Sequence, residues 1–84
     1  MPEVSVLVAV YNAAATLPRC LDSLLNQTLT PVQIICIDDA STDASPQILR
    51  HYQQQHPTCI DVVELTENHG QAYARNQGIP LIKA

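Results

Sequence analysis

The 84-residue sequence contains no Trp, no Phe, two Gly and a single Lys, and it carries four basic residues against eight acidic ones. Two glycines leave little from which to build a glycine-rich phosphate loop, and neither a Walker A nor a GxGxxG pattern occurs. Any nucleotide must therefore be held by side chains and by backbone at strand ends. Arg19, Arg50, Arg75 and Lys83 are scattered and the net charge is −4, which argues against nucleic acid as a partner. No run approaches the ~18 apolar residues of a membrane span, and no basic region precedes a long apolar stretch as in a signal peptide. Cys20, Cys36 and Cys59 form no CxxC pair, so zinc and thioredoxin-type chemistry have no support. Each cysteine lies in an apolar stretch and is expected to pack as a small buried hydrophobe, reduced as in a cytoplasmic protein.

What the chain does have is 46% hydrophobic residues, enough for one small domain with a marginal core. Residues 4–10 (VSVLVAV) are nearly all apolar and β-branched, as in a parallel strand covered on both faces. Thr16 is placed to cap a helix whose Leu17, Cys20, Leu21, Leu24 and Leu25 follow helical spacing, with Pro18 in its first turn. Residues 26–31 should end that helix, and 32–37 (VQIICI) read as a second buried strand running into Asp38 and Asp39. Ser45-Pro46 resembles an N-cap with Pro at the first helical position, and Asp43 offers an earlier cap. Ile48, Leu49 and Tyr52 give this helix a thin apolar stripe before His56-Pro57 stops it. Residues 60–65 (IDVVEL) alternate partly, as a strand nearer an edge does. Residues 70–78 form a short helical stretch that Pro80 should kink or restart.

Strand–helix alternation with short connections predicts an α/β fold with a mostly parallel sheet layered by helices. Ligands of such sheets bind outside the carboxyl ends of the strands. This rule points to three loops, 11–15, 38–45 and 66–70, which should lie on one edge.

Within them, Asp38-Asp39 is the most informative feature, because two adjacent carboxylates cannot both enter an apolar core without a large desolvation cost. At least one should face the crevice, where it can accept a hydrogen bond from a base N–H or a ribose hydroxyl. The competing reading is that these carboxylates, with Ser41, Thr42 and Asp43, cap the next helix and complement its dipole. Calcium fails on pattern, since Ala40 and Thr42 interrupt the oxygen ligands. A phosphoacceptor site lacks a nearby Lys, the only one being Lys83. His51 and His56 should face solvent, and His69 reads as a loop residue rather than a general base. Arg75, the only cation in the last third before Lys83, suits a diphosphate or a base carbonyl at the crevice.

Taken in order, VSVLVAVYNAAATLPRCLDSLLNQTL, IICIDDASTDASPQIL and ENHGQAYARNQG resemble the opening of family 2 glycosyltransferases, inverting enzymes of the Rossmann-like GT-A fold. The resemblance runs over residues 3–79. It implies a nucleotide-diphospho-sugar donor, commonly a UDP-sugar, a carbohydrate or lipid-linked acceptor, and a divalent cation, Mn²⁺ or Mg²⁺. Val10, Tyr11 and Asn12 match the segment lying against the nucleoside. Asp38 and Asp39 match the acidic pair, of which one bonds the uracil ring, and Arg75 matches a residue lining the nucleotide pocket. Two positions depart from the family pattern: Ala40 stands where a Gly is often found, and Pro80 stands where the helix usually continues. The family's metal-binding DXD motif and its later catalytic Asp have no counterpart, and nothing after Gly78 supplies them.

Residues 1–84 are thus expected to be the β-α-β-α-β-α nucleotide-binding part of a glycosyltransferase, with no catalytic or metal-ligating residue of their own and no activity alone. The parent enzyme is expected in the cytoplasm, at the inner face of a membrane, in cell wall or polysaccharide synthesis. The alternative is a noncatalytic α/β module that buries an unfinished sheet edge by forming a homo-oligomer.

Overall fold

The computed structural model describes residues 4–26 and 32–83. The three apolar runs become strands β1 (Val4–Val10), β2 (Val32–Asp38) and β3 (Ile60–Glu64). Between and after them lie α1 (Leu17–Asn26), α2 (Ser45–Gln55) and α3 (Gln71–Gly78), then a 3₁₀ turn over Ile79–Leu81. The strands pair in parallel in the order β1-β2-β3, with Val4 opposite Val32 and Ile34 opposite Ile60. This is the adjacent parallel arrangement expected from the apolar runs. β2 extends one residue further than expected and takes Asp38 into the ladder, between Val10 and Glu64. β3 stops one residue short of Leu65, whose N–H nonetheless donates to the Asp38 carbonyl at 2.8 Å. The expected end of α1 across residues 26–31 lies, beyond Asn26, outside the described residues.

Strand alternation sorts the core into two layers. Val10, Ile34, Cys36 and Ile60 face α1 and α2, packing with Leu17, Leu21 and Leu49. Ile35 and Ile37 face α3 through Ala74, with Leu7, Ala9, Val63 and Leu65 around them. Central β2 is buried from Gln33 onward, but β1 is less covered than its composition suggests: Val10 is buried and Val4 is 49% exposed. The reason is its place at the edge of the sheet among the described residues.

Gly78 sets how closely α3 approaches the sheet. A Cβ there would lie 2.8 Å from both Ile37 Cδ1 and Leu7 Cδ2, a contact only glycine avoids. Pro80 does not kink α3, which ends at Gly78; the chain makes the expected new start, with Pro80 inside a 3₁₀ turn closed by Ile82 N–H to the Ile79 carbonyl.

The cysteines divide. Cys36 is fully buried, and desolvation pushes its thiol up to about 12. Cys59 is half-buried, whereas Cys20 is exposed, contrary to the expectation of burial. Leu17, Leu21, Leu24 and Leu25 define the covered stripe of α1, and Cys20 falls on its flank.

The amino end of the sheet holds a buried polar side chain, Gln33, 3% exposed. Its Oε1 accepts from Ser5 Oγ at 2.7 Å and from the Lys83 N–H at 2.9 Å. Its Nε2 donates to Asp61 Oδ2 at 2.8 Å and to the Leu81 carbonyl at 2.7 Å. All four bonding positions of the amide are used, and they join three strands to the segment that follows α3.

Candidate functional site

The three loops do converge at the carboxyl ends of the strands, through bonds between residues far apart in sequence. The Val10 carbonyl accepts the Asp39 N–H at 2.8 Å, so the end of β1 is fastened to the acidic pair. Val10 contributes this carbonyl only, since its side chain is buried in the α1/α2 layer. Tyr11 follows, 50% exposed. Asn12 adopts a left-handed backbone, φ 48°, a conformation Asn tolerates better than most residues.

Asn12 and the second loop are laced together in both directions. Asn12 Oδ1 accepts the N–H of Thr42 at 2.8 Å and of Asp43 at 3.3 Å, with the Thr42 hydroxyl at 3.3 Å. In return, three consecutive N–H groups of the first loop donate to side chains of the second. Asn12 reaches Ser41 Oγ at 2.9 Å, Ala13 reaches Ser45 Oγ at 3.0 Å, and Ala14 reaches Asp43 Oδ2 at 3.0 Å. Asp43 Oδ1 also accepts the Ser45 N–H at 2.9 Å. The bonds from Ser45 and from the Ala14 N–H hold the Asp43 carboxyl below its usual range. Ser45 therefore does not cap α2 as expected. Its hydroxyl turns to the first loop, Ala44 occupies the N-cap position, and Ser45 is the first helical residue.

Asp38 and Asp39 are both buried, at 2% and 3% exposure, and they diverge. Asp38 shares the strand parity of Ile34 and Cys36, on the α1/α2 side. Its Oδ2 accepts the Ser41 N–H at 3.1 Å, and its Oδ1 is buried with no partner. Asp39 turns to the N-terminal end of α3. Its Oδ1 accepts the His69 N–H at 3.0 Å and its Oδ2 accepts the Gly70 N–H at 2.9 Å. Gly70, φ 92° and ψ 166°, occupies a backbone region that is essentially reserved for glycine. Ala40, beside the pair, has φ 60°, a left-handed backbone that costs an L-residue about 1–2 kcal/mol.

Arg75 lies exposed on α3, and its guanidinium donates within the helix to Gln71 Oε1 at 3.4 Å rather than to either aspartate. His69 stacks on Tyr73, ring centroids 4.3 Å apart, and its Nε2 lies 3.4 Å from Glu67 Oε2. His51 is exposed and His56, at the end of α2, is half-buried. The structure thus brings Val10, Tyr11, Asn12, Asp38 and Asp39 together and leaves Arg75 on the neighbouring helix. Residue reading missed that Ser41, Thr42 and Ser45 serve the first loop, and that Asp43 serves both that loop and the start of α2. Their density of hydroxyls and carboxylates was the available signal.

Among the described residues, no three His, Cys, Asp or Glu side chains cluster as metal ligands. Three of the four oxygens of the acidic pair each accept one backbone N–H, and Asp38 Oδ1 accepts none. No helix is long and apolar enough to cross a membrane among these residues.

A family model described as glycosyl transferase family 2 matches residues 5–83. Poly(ribitol-phosphate) beta-glucosyltransferase of Bacillus spizizenii is 40% identical over 84 residues, covering 96% of this chain and 13% of that protein. A mannosyltransferase of Pyrobaculum calidifontis, PcManGT, solved in complex with GDP-Man and Mn²⁺, superposes with TM-score 0.88 at 32% identity, over 98% of this chain and 25% of that one. S. aureus TarS in complex with UDP-GlcNAc superposes with TM-score 0.85 at 27% identity, over 96% and 24%. The architecture is that of GT-A glycosyltransferases. The chain spans about a quarter of these solved structures and about an eighth of the first relative.

Proposed function

Because the chain belongs to glycosyl transferase family 2, we propose that it is the donor-nucleoside-binding portion of a glycosyltransferase. That enzyme transfers a sugar with inversion from a nucleotide-diphospho-sugar, a UDP-sugar in this reading, to a hydroxyl of a carbohydrate or lipid-linked acceptor. PcManGT and TarS, solved with GDP-Man and UDP-GlcNAc, support the nucleotide-sugar class. The names of relatives support cell wall or polysaccharide synthesis. A divalent cation, Mn²⁺ or Mg²⁺, belongs to the complete enzyme, with most of its ligands outside these residues. The 84 residues bind the donor and do not transfer. The protein works in the cytoplasm, at the inner face of a membrane, where free thiols such as Cys20 stay reduced.

One observation carries this reading. Two buried carboxylates at the convergence of three strand-end loops keep unused acceptor capacity. An ionised carboxylate offers about four lone-pair sites. Asp39 uses two for backbone N–H groups, and Asp38 uses one and leaves Oδ1 unpaired. A base N–H takes one of these sites. Asp39 is the first choice, because it lies on the side of α3, which bears Arg75, and its two backbone donors fix its orientation. Asp38 is the second. Tyr11 packs along the base and Arg75 closes the pocket. The first-loop N–H groups are consumed by side chains, so the diphosphate is not held there.

The test replaces each aspartate with Ala and titrates the protein with UDP by calorimetry or NMR. Loss of one charged hydrogen bond costs ~1.5–3 kcal/mol, roughly tenfold to a hundredfold in affinity. Unchanged affinity in both folded variants would show the pair to be structural only.

A second reading has its own observation. Val4, Ile79, Leu81 and Ile82 are exposed, and β1 is an apolar edge strand without Lys or Pro. A noncatalytic module would bury this surface as a homo-oligomer. Light scattering at high concentration separates the two, a clean monomer counting against the module.

A further inference from the structure

We propose that Asn12 is a positioning residue: through its side-chain oxygen and its backbone N–H it holds Tyr11 against the acidic pair. The inference rests on the donor-binding reading and assigns one residue a role within it. A carbonyl oxygen has two lone pairs, and Asn12 Oδ1 already faces three donors, the N–H groups of Thr42 and Asp43 and the Thr42 hydroxyl. Its own N–H is taken by Ser41 Oγ. Both groups are engaged within the fold, and only the side-chain Nδ2, which Asn12→Asp removes, could donate to a ligand.

Tyr11 is bracketed as a consequence. On one side the Val10 carbonyl is bonded to the Asp39 N–H, and on the other Asn12 is bonded to residues 41–43. Between these two fastenings the half-exposed ring has no hydrogen-bonded restraint of its own among the described contacts. Its distance from Asp39 is therefore set by the backbone on either side. The left-handed φ of Asn12 is part of the device, because it turns the side chain back across the loop while the chain proceeds to α1. Asn accommodates that conformation and supplies the acceptor in one residue.

The experiment compares Asn12→Gly with Asn12→Asp in the 84-residue chain, using UDP and, in parallel, GDP as probes. Glycine keeps the left-handed backbone and deletes the acceptor, whereas aspartate keeps an acceptor for Thr42 and Asp43. Asn12→Gly is expected to lose about tenfold in affinity, while Asn12→Asp stays within about threefold of the unaltered chain. Gln33→Leu, a destabilising change at the other end of the sheet, should leave affinity unchanged and so separates positioning from stability. Should Asn12→Gly fail to fold, Asn12→Ser, too short to reach Asp43, is read in the same way. Unaltered affinity in Asn12→Gly overturns the proposal while the donor reading stands. Equal losses in Asn12→Gly and Asn12→Asp also overturn it, since the amide itself would then touch the nucleotide. If the unaltered chain binds neither UDP nor GDP, the donor reading fails and this inference fails with it.

Discussion

At the amino end of the sheet, the Gln33 amide uses both hydrogens and both lone pairs on Ser5, Asp61, Leu81 and Lys83. At the carboxyl end, Asp38 and Asp39 are as deeply buried, yet accept only three bonds between them and leave one oxygen orphaned. A buried polar group that is fully satisfied repays its desolvation within the fold and acts as a fastener. One that is incompletely satisfied retains a free-energy incentive to meet a further donor. The surroundings differ in the same sense. Among the described residues, Asn12, Ala40 and Gly70 are at positive φ, and all three lie at the carboxyl end. Within those residues strain and spare bonding capacity collect at one edge, which is the pattern expected of a binding edge.

The largest effect that would break this contrast is at the fastener. Gln33→Leu strands the Lys83 N–H, the Leu81 carbonyl and the Asp61 carboxylate, and should lower stability by about 2–4 kcal/mol in urea unfolding. Nucleotide affinity should not follow. If affinity falls in parallel while the variant is folded, the two ends are energetically one unit and the contrast is lost.

A smaller change sharpens it. Ala40→Gly relieves the left-handed backbone and should raise the stability read from urea unfolding by about 0.5–1 kcal/mol after the added chain entropy is set against the relieved strain. A neutral or destabilising result would mean that the alanine methyl group packs usefully in the loop.

The smallest effect is in acid. The bonds from Ser45 and Ala14 lower the Asp43 carboxyl below its ordinary value, and Arg50 lowers Glu64, its guanidinium Nε being 2.9 Å from Oε2. A depressed folded-state value means that the unfolded chain takes up the proton first. These contributions are present above about pH 4 and fade as pH falls through the lower folded values. The Ala14 and Ser45 amide resonances should shift as the lacing weakens in that range. The Lys83 amide, bonded to an amide oxygen that does not titrate, should move least. Equal movement at both ends would indicate global unfolding rather than local loosening.

How much of this was legible in advance depended on range. The apolar runs located all three strands to within a residue at their ends, because burial on a pleated surface writes its own two-residue period. The acidic pair stood out for the same reason, two charges at the end of a buried run. The misreadings at Cys20, Ser45 and β1 share a cause. Each was judged from neighbours in sequence, and each is decided by a partner or a missing neighbour in space. Ser45 looked like a cap until Ala13, 32 residues away, claimed its hydroxyl.

Sequence by itself determined the alternation of strands and helices, the parallel order that short crossovers impose, and the edge at which the loops gather. These follow from local periodicity and chain connectivity, which need no knowledge of contacts. Only the tertiary structure decided that Asp39 faces α3 while Asp38 faces α2, that Asn12 is consumed in lacing two loops, and that Gln33 is a complete fastener. The outcomes at Asp39, Asn12 and Gln33 rest on hydrogen bonds between residues 28 to 50 positions apart. Such bonds form only after the sheet has brought their partners within about 3 Å, a distance that no local pattern encodes.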